Sequence, residues 1–277
     1  MSAATIRLFQ RAVHLWLFGY TLSCLPLAEW LWDFPVSPPL PVPGVMGVFM
    51  NAFGTWMPHD FAVPSAGVLV LFAAYGVFRE QPRWMAFLTW MLFSSLVQRA
   101  WLASCGGLLL MNNVLLWMVL LRQDPSTKTA GYLSQLAFWM IRAQLLFTYL
   151  ATGLHKLTGT SWLDGTAVGI VSSDPQFGPH WLASWPALSA IVTWVLLAFQ
   201  FGFPLAVWWR RSCYPAMALG IAFHLGTAVF IDIPQMGLAF IACYAVWLDE
   251  DAAGRIDLAL AWLRVRLLPK AALHSPA

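Results

Sequence analysis

Charge is scarce in this 277-residue chain: 10% of its residues are charged, and lysine occurs only as Lys128, Lys156 and Lys270. A soluble domain carries about 25% charged residues. With 60% hydrophobic residues and a mean hydropathy of +0.69, the shortage excludes an ordinary water-soluble core and leaves a polytopic membrane protein. The net charge of +3 is too small, and its cations too scattered, to suit a nucleic-acid partner. Cys24, Cys105, Cys213 and Cys243 form no CxxC pair and lie in or beside apolar segments, so cysteine spacing carries no information here. HExxH, a glycine-rich phosphate loop and a GxSxG elbow are all missing, and the six histidines are dispersed, so no metal site is expected. Neither a repeat nor a separate soluble domain is visible.

What the chain does have is long apolar runs. A span needs roughly 20 such residues to cross about 30 Å of hydrocarbon. Eight candidates follow, near 12–34, 62–78, 84–104, 106–121, 133–157, 187–209, 212–231 and 234–248. The expected fold is therefore an all-α integral membrane protein, a bundle of about eight transmembrane helices. The first run shows no small-residue cleavage pattern and reads as a retained helix rather than a signal peptide. "CGG" and "DIP" join the third to the fourth run and the seventh to the eighth, which predicts two tight hairpins. With both termini cytoplasmic, Arg7, Arg11, Arg79, Arg83, Arg122, Lys128, Arg210, Arg211, Arg255, Arg264, Arg266 and Lys270 share the inner side, as the positive-inside rule requires. The connections 35–61 and 158–186 contain no lysine or arginine. Seventeen tryptophans suit belts at headgroup level. The boundaries expected are a membrane domain over 1–250 and a cytoplasmic tail over 251–277, whose "GRIDLALAWLRVRLLPK" fits either a helix lying on the inner surface or a charged topological anchor. The outer loops hold a proline run, "PVSPPLPVPG" at 35–44, and a turn-rich stretch at 158–186 of the length used for lids or binding elements.

Three cations, Arg99, Arg142 and Lys156, fall within spans or at their outer ends, where ionisable groups need a partner, a wet cavity or a function. Helix rise puts Lys156 roughly 35 Å along its helix, near the outer face. Arg99, Asn112, Asn113 and His224 belong to the same outer leaflet, so these helices could line a cavity open to the outside. Arg142, Leu145, Tyr149 and Thr152 fall within about 40° of Lys156 on the fifth helix, with His155 about 100° from it. Each has a plainer reading beside the functional one. Lys156 and Arg99 suit snorkelling to headgroups, Arg142 and the asparagines interhelical hydrogen bonding, and His224 a satisfied interhelical histidine.

"YLATGLHKLTGTSWLDGTAV" (149–168) resembles the signature of the vitamin K-dependent gamma-carboxylase-like superfamily, including the bacterial HTTM proteins, through Gly153, His155, Lys156, Trp162, Asp164 and Gly165. "MNNVLLW" (111–117) and "AFHLGTAVF" (222–230) are similar to two further family segments. The resemblance covers residues 5 to 250. It implies a pocket for a reduced quinone of vitamin K type, with Lys156 as the base and His155 and His224 beside it in the catalytic set. It also implies that Asn112, Asn113, Arg99, Tyr149 and Thr152 shape the pocket, while Trp162 and Asp164 fix the following turn. Two departures stand out: Val114 replaces the family's histidine after the paired asparagines, and no β-rich extracytoplasmic part follows the membrane region.

Two functions follow from this. One is lipophilic quinol binding in an outward-facing pocket with carboxylase-like or oxidoreductase chemistry. The other is a non-catalytic factor for maturation, export or immunity of a secreted peptide, as in small relatives associated with sporulation-delaying peptide toxins. Both place the chain as a multi-pass protein in the inner or plasma membrane, with the lipid bilayer, a secreted peptide or another membrane protein as partner.

Overall fold

The computed structural model describes residues 2–33, 44–45, 48, 51–52, 56 and 58–267. Apart from Gly44, the proline run lies outside them, as does Lys270. Each of the eight expected segments holds a helix. These are α1 (Ala3–Cys24), α2 (Ala62–Phe78), α3 (Arg83–Arg99), α4 (Gly106–Met118) and α5 (Lys128–Leu157), then, after short helices α6 (Thr160–Leu163), α7 (Ala167–Ser173) and α8 (His180–Ala183), α9 (Pro186–Ala206), α10 (Arg210–Phe230) and α11 (Pro234–Tyr244). The tail forms α12 (Glu250–Leu267).

Local chemistry sets the boundaries. The first helix begins nine residues earlier than expected because Ser2 caps it, its Oγ accepting from the Thr5 amide at 3.1 Å. It stops at Cys24 because Pro26 cannot continue the amide ladder, and the chain tightens into a 3-10 turn at Leu25–Leu27. Thr127 caps α5 in the same way through the Ala130 amide. Proline occupies the first position of α9 and α11, where its missing N–H costs nothing.

All described regular structure is helical. Among the described residues two helices, Pro186–Ala206 and Arg210–Phe230, are long and apolar enough to cross a membrane, and three others are apolar but shorter. The remaining candidates fall short because α3, α4 and α11 end before their expected bounds and α2 is 17 residues long, while Arg7, Gln10, Arg11 and His14 interrupt α1 and Arg142 and Gln144 interrupt α5. Only 33% and 28% of the apolar windows in α9 and α10 are buried, which is not how a soluble core helix sits. Leu71, Phe78, Phe147, Leu205 and Val229 likewise point outward at more than 60% exposure. An outward surface this apolar belongs against lipid, so the chain is membrane-associated.

The helices form a bundle in which α11 is central, packed on α1, α4 and α10. Around it α1 meets α2, α2 meets α3, α3 meets α4, α4 meets α5, α5 meets α9, and α9 meets α10. The end where α1 begins, here called the near end, carries polar ties between connections. Arg122 donates to the Gln81 carbonyl at 2.7 Å, Gln123 to Gln10 Oε1 at 2.7 Å, and Gln10 to the Leu121 carbonyl at 3.2 Å. The tail helix docks there too: Asp257 accepts from Arg7 Nε at 2.8 Å and Arg11 Nη1 at 3.0 Å, and Ala253 is fully buried. Leu258 and Trp262 remain exposed on α12.

Candidate functional site

The buried face of α5 runs through Ile141, Leu145, Tyr149 and Gly153, a strict four-residue spacing. It presents Tyr149 to the middle of the bundle, where His224 of α10 and Tyr244 of α11 converge on it. The Tyr149 hydroxyl lies 2.6 Å from His224 Nε2 and 2.5 Å from the Tyr244 hydroxyl. All three residues are at most 2% exposed. Phe240 stacks on the His224 ring at 4.4 Å and 14°, and Phe203 lies 4.6 Å from Tyr149. This is a polar chain sealed in an aromatic box.

Close helix approach makes the chain possible. A side chain at Gly220 of α10 would occupy the place of the Tyr244 hydroxyl, and one at Gly237 of α11 would run into the His224 carbonyl oxygen. The two glycines therefore let α10 and α11 lie backbone to backbone. The chain is also short of acceptors. Neutral His224 and the two tyrosines bring three hydrogens to two hydrogen bonds, and His224 Nδ1 has no partner. One donor is thus always left over inside the bundle. Such a chain has one arrangement for each His224 tautomer, with the unmatched donor at His224 Nδ1 in one and on a tyrosine hydroxyl in the other.

The other expected residues go to separate surroundings rather than to one cavity. Lys156 lies two turns beyond Tyr149, about 10 Å along α5, with its ammonium 4.8 Å from the centre of the Trp162 ring. His155 and Thr152 are exposed, and the Thr152 hydroxyl donates to its own helix at the Thr148 and Tyr149 carbonyls. Asn112 accepts from Ser94 Oγ at 2.5 Å and ties α4 to α3, whereas Asn113 faces outward. Arg99 Nη1 donates to the Trp32 carbonyl at 2.9 Å. Asp164 closes a turn on itself, accepting from the Thr166 amide at 2.9 Å and hydroxyl at 2.6 Å ahead of Gly165, whose φ is +83°.

Sequence reasoning missed Tyr244. The signal was present, because a hairpin folded at "DIP" brings the residue nine before its middle within about one helical turn of the one eleven after it, and those are His224 and Tyr244. It also missed a cavity of about 770 Å³ between α1 and α11, lined by Trp16, Tyr20, Cys24, Gln235, Leu238 and Ile241 among others. Tyr20 stacks on Trp16 at 5.3 Å along one wall. α11 separates this cavity from the buried polar chain.

Asp164 makes a pH prediction. Its hydrogen bonds from the Thr166 hydroxyl and amide hold its carboxyl below the usual carboxylate range. A carboxyl with a lower pKa folded than unfolded stabilises the fold above its unfolded value and loses that contribution as pH falls through the folded one. Asn at this position keeps the turn without the charge. The melting temperature of wild type is expected to fall relative to Asp164→Asn only below about pH 4, measured by paired thermal melts. Parallel melts across that range would remove the carboxylate from the account of this turn.

No family model matches the chain, and no solved structure matches it. Over 117 residues it is 30% identical to the sporulation-delaying protein SdpB of Bacillus subtilis (strain 168), a match covering 39% of this chain and 36% of that protein. The chain thus spans little more than a third of the length of the curated relative it is similar to.

Proposed function

We propose that the chain is a multi-pass membrane factor serving the maturation, export or immunity of a secreted peptide, with the Tyr149–His224–Tyr244 chain as its functional core and Lys156 as part of its outer rim. The observation that carries this reading is the seat of Lys156. A base for quinol chemistry has to face the reacting atoms beside His224 and Asn113, yet the ammonium lies over the Trp162 ring and Asn113 turns outward. The likeness to a sporulation-delaying protein supports a peptide pathway.

All eight helices cross the bilayer in this reading, with both termini inside. The basic near end supports it, as does the stacking of Trp139 on Trp208 at 6.1 Å, which marks one headgroup level at the "WWRR" junction of α9 and α10. From Trp139 to Lys156 α5 rises about 25 Å, close to the thickness of hydrocarbon. Arg142 therefore lies just below the inner headgroups, shallower than its sequence position suggests.

A reduced quinone would supply reducing equivalents and, with oxygen, a strong base. The residues present do not fit it: neither Lys156, Asn113 nor His224 lines the apolar cavity large enough for a quinone ring. The test compares secreted peptides from a host with the gene, without it, and with Tyr149→Phe. Loss of one mature peptide in the deletion strain, restored by wild type and not by Tyr149→Phe, is the expected result. Identical peptide profiles, together with Lys156-dependent quinol oxidation by the protein in nanodiscs, would overturn the reading.

Lys156 then has a modest structural role. A partly exposed cation on an indole contributes about 0.5–1 kcal/mol. Lys156→Ala and Trp162→Ala are each expected to lower stability by about that amount, and the double variant by less than their sum. Additive losses in a double-mutant cycle would show that the pair is not coupled.

A further inference from the structure

The near end holds a second cavity, of about 310 Å³, lined by Ser2, Gln135, Trp139, Arg142, Asp249 and Glu250 among others. That is the lower end of the range of small-molecule pockets, roughly 300–1,000 Å³. Arg142 is fixed at its edge. Its Nε and Nη2 both donate to the Val246 carbonyl, at 3.2 and 2.9 Å, and the guanidinium lies between the Phe138 and Trp247 rings, 4.4 Å from each. These contacts leave Nη1 without a protein partner among the described residues. An arginine held this way is a preformed half of a bidentate site for phosphate or carboxylate.

The charges around it select the ligand. Asp249 is already engaged, accepting from the Ala252 amide at 2.8 Å and facing Arg210 Nη2 at 3.5 Å. Glu250 makes no ion pair among the described residues. Among the described residues the cavity is left with one cation and one anion unmatched, so a simple anion meets Glu250 and a simple cation meets Arg142. A zwitterion satisfies both. The surroundings are those of a bilayer surface: Trp139 and Trp208, each about half exposed, stack beside the opening, and the outward face of α5 continues through exposed Phe147, Leu150 and Leu154.

We infer that this cavity holds the head group of a zwitterionic aminophospholipid, its phosphate on Arg142 and its ammonium on Glu250, with the acyl chains along the outward face of α5. The inference rests on the bilayer reading above and is independent of the peptide. The test is native mass spectrometry of the full chain released from nanodiscs containing equal phosphatidylethanolamine and phosphatidylglycerol. Wild type is expected to retain phosphatidylethanolamine at least tenfold over phosphatidylglycerol. Arg142→Gln should lose retention of both, and Glu250→Gln, at an exposed position, should lose the preference. Free phosphoethanolamine at millimolar concentration separates the sources: displacement of the lipid assigns recognition to the head group alone, and no displacement assigns it to head group and chains together. Equal retention of both lipids by wild type, an unchanged preference in Glu250→Gln, or stronger displacement by a short zwitterionic peptide would each overturn the inference. Failure to enter nanodiscs at all would instead count against the bilayer reading.

Discussion

Tyr149→Phe is expected to destabilise the protein by about 2–6 kcal/mol, because one lost hydroxyl strands two buried groups, each at a cost of about 1–3 kcal/mol. Both His224 Nε2 and the Tyr244 hydroxyl bond to that oxygen, and the aromatic rings around them offer no replacement. Tyr244→Phe should cost less, since Tyr149 keeps its bond to His224. The discriminating variant is Tyr149→Phe with His224→Leu. Replacing both partners by apolar groups of similar shape removes the stranded nitrogen, so the double variant should recover part of the loss. Denaturant unfolding followed by tryptophan fluorescence reads all four proteins. If Tyr149→Phe unfolds with wild type, the buried chain is not formed as described.

That chain also shows how far the sequence carries. The helices were legible because the apolar runs are long and their ends have simple causes. Ala62–Phe78 matches its expected bounds and the "DIP" hairpin forms where it was expected, whereas the turn ahead of α4 falls at 100–105, before the two glycines, which begin that helix. The start of α1 was not legible from hydropathy, because Arg7 and Arg11 look like flanking charge until Asp257, some 250 residues later, is seen to receive them. The site was legible by residue and not by grouping. Depth and helical angle put Lys156, Arg99, Asn112, Asn113 and His224 in one leaflet, but a shared depth does not give a shared neighbour. Asn113 differs from Asn112 by 100° on α4, and that turn sends one to Ser94 and the other outward. On α5 Tyr149 and Thr152 are about 60° apart, which keeps the first inside and turns the second away, so the polar stripe does not face the bundle as a whole.

Gly237→Leu is expected to abolish the folded state, and Gly237→Ala to weaken it by about 1–3 kcal/mol or more, the range for overpacking a tight interior. The reason is the identity of the atom in the way. A Cβ at Gly237 meets the His224 carbonyl oxygen, which is α10 backbone and cannot rotate aside as a side chain would. Relief requires α10 and α11 to separate, and their separation pulls His224 from Tyr149 and opens the contact of Gly220 with Tyr244. Stability and the polar chain therefore fail together at this position. Gly19→Ala and Gly202→Ala are the controls, because nothing lies within 4 Å of a Cβ at either. Those variants should behave like wild type or gain slightly from reduced freedom of the unfolded chain. A Gly237→Ala protein that melts with the controls would mean that the hairpin is looser than its backbone contact indicates, and the position of His224 would no longer follow from helix packing.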